Sequence, residues 1–217
     1  MLFLKYSSIR AHAGANLQIQ RTRCYASVSA SHWSLKSFFQ YAENQQLSPQ
    51  STYYVGTLYE YVTLEALRSA ARMSLERCGG TGDEGVDLRG EMRIANGSKI
   101  PVIVQCKSES KKPGVRHIRE LEGACANSSQ DTLAMLAAKW PITAAAQRTL
   151  LSSPRPMSFC LVTDYEEGGY IRQLVWNGAA QKILKGLSVV QVSQTSRNSA
   201  SRHSTDVRPI ALVSTLD

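Results

Sequence analysis

Residues 100–106 read Ile-Pro-Val-Ile-Val-Gln-Cys, apolar at every position but Gln105. The run is too short for an ordinary helix and lacks the alternation of a half-solvated strand. It predicts a strand covered on both faces. Such a strand needs packing elements above and below it, so the chain is expected to be an α/β or α+β protein: a mixed central sheet flanked by helices. The preceding Asn96-Gly97 is the strongest local hairpin signal, because both residue types accept the positive φ of a two-residue turn. The segment ending at Ile94 is therefore the expected antiparallel partner. Pro101 fits the first residues of the strand, where a missing N–H is tolerated.

Around this hairpin the pattern predicts a short helix over 34–45, with Leu35, Phe38, Phe39 and Ala42 on one side. A longer helix is expected over 57–78. Its stripe runs Leu64, Leu67, Ala71, Leu75, and Gly79-Gly80-Thr81-Gly82 would stop it. Helices are also expected over 115–125, over 143–151 with Thr143 as cap, and from a cap at Asn177 to about 187. Residues 127–140 read as a loop followed by a short helix. Strands are expected over 157–163, 170–175 and 189–192, with an edge strand over 207–213 after a polar segment, 194–206. Trp140 and Trp176 read as core residues, and His117 as solvated or phosphate-facing.

Composition excludes several classes. The 217 residues are 43% hydrophobic and 19% charged, enough for one domain with a real core. No apolar run approaches the roughly 20 residues of a membrane-spanning helix. The five cysteines (Cys24, Cys78, Cys106, Cys125, Cys160) form no CxxC pair, which argues against a zinc knuckle or a disulfide framework. The formal net charge is +8, but no acid precedes Glu43. Residues 1–25 have the Arg-containing, acid-free pattern of an organellar transit peptide, with a processing site suggested at Arg23-Cys24-Tyr25-Ala26. Removing them lowers the net charge to +4, so total charge argues only weakly for nucleic acid. The expected organisation is a transit peptide, 1–25; a helix and linker, 26–52; a domain, 53–193; and a polar segment with a short strand, 194–217. Mitochondrial residence, in the matrix, is the expectation.

The polar residues inside buried segments carry the chemistry. Side chains alternate along a strand, so Gln105 and Lys107 share a face and emerge together at its end. Asp87, between Val86 and Leu88, should lie near the same sheet edge, where an unpartnered charge is costly. Glu60 heads the helical stripe through residues 64, 67, 71 and 75. It also completes a Thr57-Leu58-Tyr59-Glu60 capping box, a purely structural alternative. Glu60, Asp87 and Gln105 make a hard oxygen set suited to magnesium (Mg2+), with manganese (Mn2+) as a substitute. Lys107 could stabilise charge on a phosphate or help activate water, as phosphodiester hydrolysis requires. Lys111, Lys112, Arg116 and Arg119 form a basic cluster that suits either a solvated face or contacts to a nucleic-acid backbone. Asp83 and Glu84 read as turn residues.

Residues 79–107, with Asp87 and the Gln105-x-Lys107 pair, resemble the Mrr-like branch of the restriction-endonuclease fold, the PD-(D/E)xK superfamily. Gly56-Thr57-Leu58-Tyr59-Glu60 resembles the first-helix segment whose glutamate faces the site. Arg119-Glu120-Leu121-Glu122-Gly123 resembles the helix that approaches the DNA backbone. With the leader, the whole resembles the fungal mitochondrial family named as required for respiratory growth. The resemblance implies a restriction-endonuclease-like fold, a magnesium site at Glu60, Asp87 and Gln105, Lys107 as a catalytic residue, and DNA rather than RNA as partner. Gln105 departs from the superfamily's commoner glutamate and removes one negative charge from the site. A non-catalytic nucleic-acid-binding protein or an assembly factor on the same fold is the alternative.

Overall fold

The computed structural model describes residues 32–78, 85–94, 97–192 and 209–214. Its elements are α1 (Leu35–Asn44), α2 (Thr52–Ala71), β1 (Met73–Arg77), β2 (Leu88–Arg93), β3 (Lys99–Lys107), α3 (Val115–Ala124), β4 (Leu133–Ala138), α4 (Ala144–Ser152), β5 (Met157–Val162), β6 (Ile171–Trp176), α5 (Gly178–Ile183), β7 (Leu187–Gln191) and β8 (Ile210–Ser214). The expected leader, the Gly79-Gly82 stop and the polar segment 194–206 lie outside the described residues.

β1 to β6 form one sheet in sequence order. β1, β2 and β3 pair antiparallel, β3, β4 and β5 parallel, and β6 returns antiparallel. The sheet is mixed, and helices cover both of its faces. On one side, Leu64 and Leu67 of α2 pack with Val102, Val104 and Met135. On the other, Ile118 of α3 and Leu150 of α4 pack with Ile103, Leu136 and Phe159. β3 is buried from Val102 to Gln105, as its apolar run requires. Pro101 faces Glu91 of β2 at a level β4 does not reach, since the β3–β4 pairing begins at Val102, so the missing N–H breaks no bond to β4. The β2–β3 hairpin forms with Gly97 at φ +84°.

Three expectations need correction. The expected helix over 57–78 is two elements. α2 starts earlier, at Thr52, where the Ser51 hydroxyl accepts the Tyr54 N–H, and ends at Ala71 with Arg72 left-handed at φ +52°. Leu75 lies on β1, where burial alternates instead of following a helical period. The expected short helix within 127–140 is the central strand β4, buried at all six positions. Leu, Ala and Met favour helices, but a slot between β3 and β5 with helices on both sides overrides that preference. The third correction concerns single residues. Trp140 is 48% exposed rather than core, and His117 is buried rather than solvated. The remaining helices and strands form where expected, except that α5 ends early, at Ile183. The last two strands pair with each other as a separate small sheet.

Candidate functional site

Local geometry brings Glu60 to the sheet edge. The chain reverses at Arg72, so β1 runs back along α2. Glu60 to Ala71 rises about 16 Å of helix, and Met73 to Arg77 covers about 13 Å of strand. Glu60 therefore comes level with Arg77, and the Arg77 Nε donates to Glu60 Oε2. Both side chains are only 14% exposed. Burial works against the Arg77 charge, but the Glu60 carboxylate, with smaller help from Tyr61 and Tyr53, offsets it and holds the guanidinium pKa above its usual value. The Arg77 guanidinium also lies 5.7 Å from the centre of the Tyr61 ring. Thr57 is buried inside α2, five residues past its start, so Thr57 and Glu60 do not form the expected capping box.

Arg77 pairs with Leu88, and Leu88 with Val104. The end of β1, the entry to β2 and the exit of β3 thus share one edge of the sheet. Asp87 sits there: its N–H donates to the Val104 carbonyl, and its Oδ2 accepts the Cys106 N–H at 2.6 Å. The carboxylate satisfies a backbone donor where the ladder ends. Burial pushes the Cys106 thiol well up, and the Asp87 and Glu60 charges push it further, so both acids act on one sulfur. That thiol is no nucleophile.

Gln105 and Lys107 point to the opposite, α3 side. Gln105 is buried, and its Oε1 is one of three buried side-chain atoms, with Thr63 Oγ1 and Ser158 Oγ, that lack a hydrogen-bond partner among the described residues. Gly85, at φ +79°, passes so close that a Cβ there would stand 3.0 Å from Gln105 Nε2. The Lys107 Nζ lies 3.6 Å from Glu120 Oε2 of α3. The structure thus gathers Glu60 and Asp87 around Cys106 and leads Lys107 from the neighbouring position toward α3. Among the described residues no group of three or more His, Cys, Asp and Glu side chains could hold a metal. The predicted set has two acids, with an amide as its third donor.

Lys111, Lys112, Arg116 and Arg119 are all exposed. Arg116 Nε lies 3.2 Å from Glu120 Oε1. The loop that carries Lys111 and Lys112 is clasped from below: His117 Nδ1 accepts the Gly114 N–H at 3.1 Å, and its Nε2 lies 3.2 Å from Glu109 Oε1. Sequence reasoning missed Arg77 and Glu120, the partners of Glu60 and Lys107. A charged residue in the expected helix 57–78 gave no signal of a strand end. Glu120, three and four residues from His117 and Arg116 on a helix following Lys107, was legible as a partner.

Residues 51–100 and 92–192 match the family described as Required for respiratory growth protein 7. A curated protein of Schizosaccharomyces pombe, "Uncharacterized protein C824.03c, mitochondrial", is 39% identical over 169 residues, which cover 76% of this chain and 67% of that protein. Among solved structures, the MspJI restriction endonuclease in complex with a 27-mer oligonucleotide aligns at 15% identity and a TM-score of 0.35. That alignment covers 58% of this chain and 28% of the other. No helix among the described residues is long and apolar enough to cross a membrane.

Proposed function

Because the chain belongs to the Required for respiratory growth protein 7 family, we propose that it is a mitochondrial, magnesium-dependent nuclease on a restriction-endonuclease-like fold, acting on DNA in preference to RNA. One observation carries this reading: Gln105 Oε1, a carbonyl oxygen buried near a strand end with no donor among the described residues. Leaving such an atom unsatisfied costs about 1–3 kcal/mol, and a hard cation would repay it. Gln105 is on the α3 face and Glu60 on the α2 face, so a shared ion would sit past the strand end, where Asp87 and the Glu60 carboxylate would supply the other oxygens of a magnesium-like set. When bound, the metal would supply Lewis-acid polarisation of the scissile phosphate and a more acidic water. The chain's own residues do the rest. Asp87 is fixed by the Cys106 N–H. Lys107, steered by Glu120, offers an ammonium to the charge that builds as water oxygen bonds to phosphorus and the ester oxygen leaves. Lys111, Lys112, Arg116 and Arg119 would meet backbone phosphates.

A non-catalytic nucleic-acid-binding role has one observation in its favour: Glu60 and Lys107 are already paired, with Arg77 and Glu120. Incubating the protein with supercoiled plasmid and magnesium, manganese or EDTA separates the two. Metal-dependent nicking, lost in Asp87→Asn and Lys107→Met variants that keep the wild-type circular dichroism, supports the nuclease. Salt-sensitive binding without nicking under any metal overturns it in favour of the second reading.

A further inference from the structure

The exposed Trp140 stands beside this edge of the sheet. β3 and β4 run parallel, with Lys107 opposite Ala138, so Lys139 and Trp140 follow β4 just past the level of Lys107. The segment that carries Trp140 is anchored to the fold. Ile142 packs against the α3–α4 core, and the Thr143 N–H donates to the Pro113 carbonyl at 3.0 Å. That bond sets the tryptophan's loop against the loop that carries Lys111 and Lys112. Trp140 is nevertheless 48% exposed. Lys111, Lys112 and Arg119 have no ion pair among the described residues, whereas Lys139 Nζ lies 3.4 Å from Asp164 Oδ2.

An exposed aromatic ring on a loop joined to another that carries exposed cations matches a strand whose phosphates meet the cations and whose base meets the ring. In a duplex the base faces are stacked on one another, so only an unpaired base can lie on the indole. We propose that Trp140 is a base-stacking residue, and that the chain's nucleic-acid substrate is single-stranded or carries unpaired bases beside the cleaved bond. The inference rests on the nuclease and nucleic-acid reading above and adds the substrate's form.

The test measures fluorescence anisotropy of a labelled single-stranded oligonucleotide and of a blunt-ended, fully paired duplex, both in EDTA, with full-length protein. Trp140→Ala is expected to weaken single-strand binding by roughly 5- to 150-fold, the value of one stacked base, and duplex binding by less than about twofold. Trp140→Phe should keep most of the single-strand affinity. The slope of log affinity against log salt should not change, because the phosphate contacts remain. Circular dichroism checks that both variants fold. Equal loss on both ligands, or no loss on the single strand, overturns the proposal while leaving nucleic-acid binding intact. A wild-type protein that binds neither ligand overturns both this proposal and the nucleic-acid reading.

Discussion

Replacing Arg77 by methionine keeps the length of the side chain and removes its charge. Glu60 is then left as an ionised carboxylate with 14% of its side chain exposed. Breaking one side of a buried ion pair typically costs about 3–5 kcal/mol. The low end applies here, because Glu60 keeps some access to water. For a domain of this size each kcal/mol shifts the melting temperature by about 2–4 °C, so Arg77→Met should melt roughly 6–12 °C lower at neutral pH. Adding Glu60→Gln removes the orphaned charge, and the double variant should recover all but about 1 kcal/mol of the deficit. Magnesium supplies a second arm. With the Arg77 charge gone, a metal no longer competes with that guanidinium for Glu60, so metal at tenfold its dissociation constant should stabilise the single variant by about 1.4 kcal/mol, more than it stabilises the wild type. Thermal unfolding followed by circular dichroism, in EDTA and in magnesium, measures all of these quantities. A single variant within about 2 °C of wild type, or a double variant no better than the single, refutes the claim that the pair is shielded from water. A magnesium increment equal in variant and wild type refutes the role of Glu60 as a ligand.

Two further outcomes follow from groups beside this pair. The His32 pKa is lowered, first by burial and then by Arg77, so as pH falls through about 6.5 the unfolded chain takes the proton first. Stability should be constant above that value and decline below it, and His32→Asn should flatten the decline in a melting series against pH. Gly85→Ala places a Cβ 3.0 Å from Gln105 Nε2 at φ +79°, which should cost about 1–2 kcal/mol in urea unfolding. Plasmid nicking should fall further than that stability loss explains. Nicking at the wild-type rate would show that the position of Gln105 does not matter.

The elements that sequence reading placed correctly are those whose local signals agree with their packing. Residues 100–106 are apolar whichever way they face, and Asn96-Gly97 marks the turn before them, so β3 and its hairpin were legible. Thr143 and Asn177 cap helices in the expected places, and Ser34 caps the helix expected over 34–45. Where signals conflict, the reading failed. Leu64, Leu67, Ala71 and Leu75 continue a helical period across the break at Arg72, and a non-glycine residue in the left-handed region gives no advance notice. β4 consists of helix formers held as a strand only by neighbours distant in sequence. The same limit applies to the site. Alternation along β3 placed Gln105 and Lys107 on one face, but the assignment of Glu60 and Lys107 to opposite faces depends on which helix covers which side of the sheet. That is a property of the whole topology.

The pairing of charges at this edge bears on how a metal would bind. Glu60 is held by Arg77 and Lys107 is steered by Glu120, while one Asp87 oxygen is committed to a backbone N–H. Of the predicted ligand atoms, the neutral Gln105 Oε1 is buried without a hydrogen-bond partner among the described residues. A neutral oxygen beside carboxylates already engaged with the protein attracts a divalent ion much less than three free acids would. Magnesium dehydrates reluctantly and is commonly held by one or two carboxylates together with substrate phosphates. Under the nuclease reading, then, metal and substrate should bind with positive coupling: the phosphate supplies the negative charge that glutamine at position 105 withholds. Gln105→Glu tests this directly. It should tighten magnesium binding in the absence of nucleic acid, measured by calorimetry, and reduce the amount by which nucleic acid improves it. If the substitution leaves metal affinity unchanged, Gln105 is not a ligand, and the buried carbonyl needs another explanation.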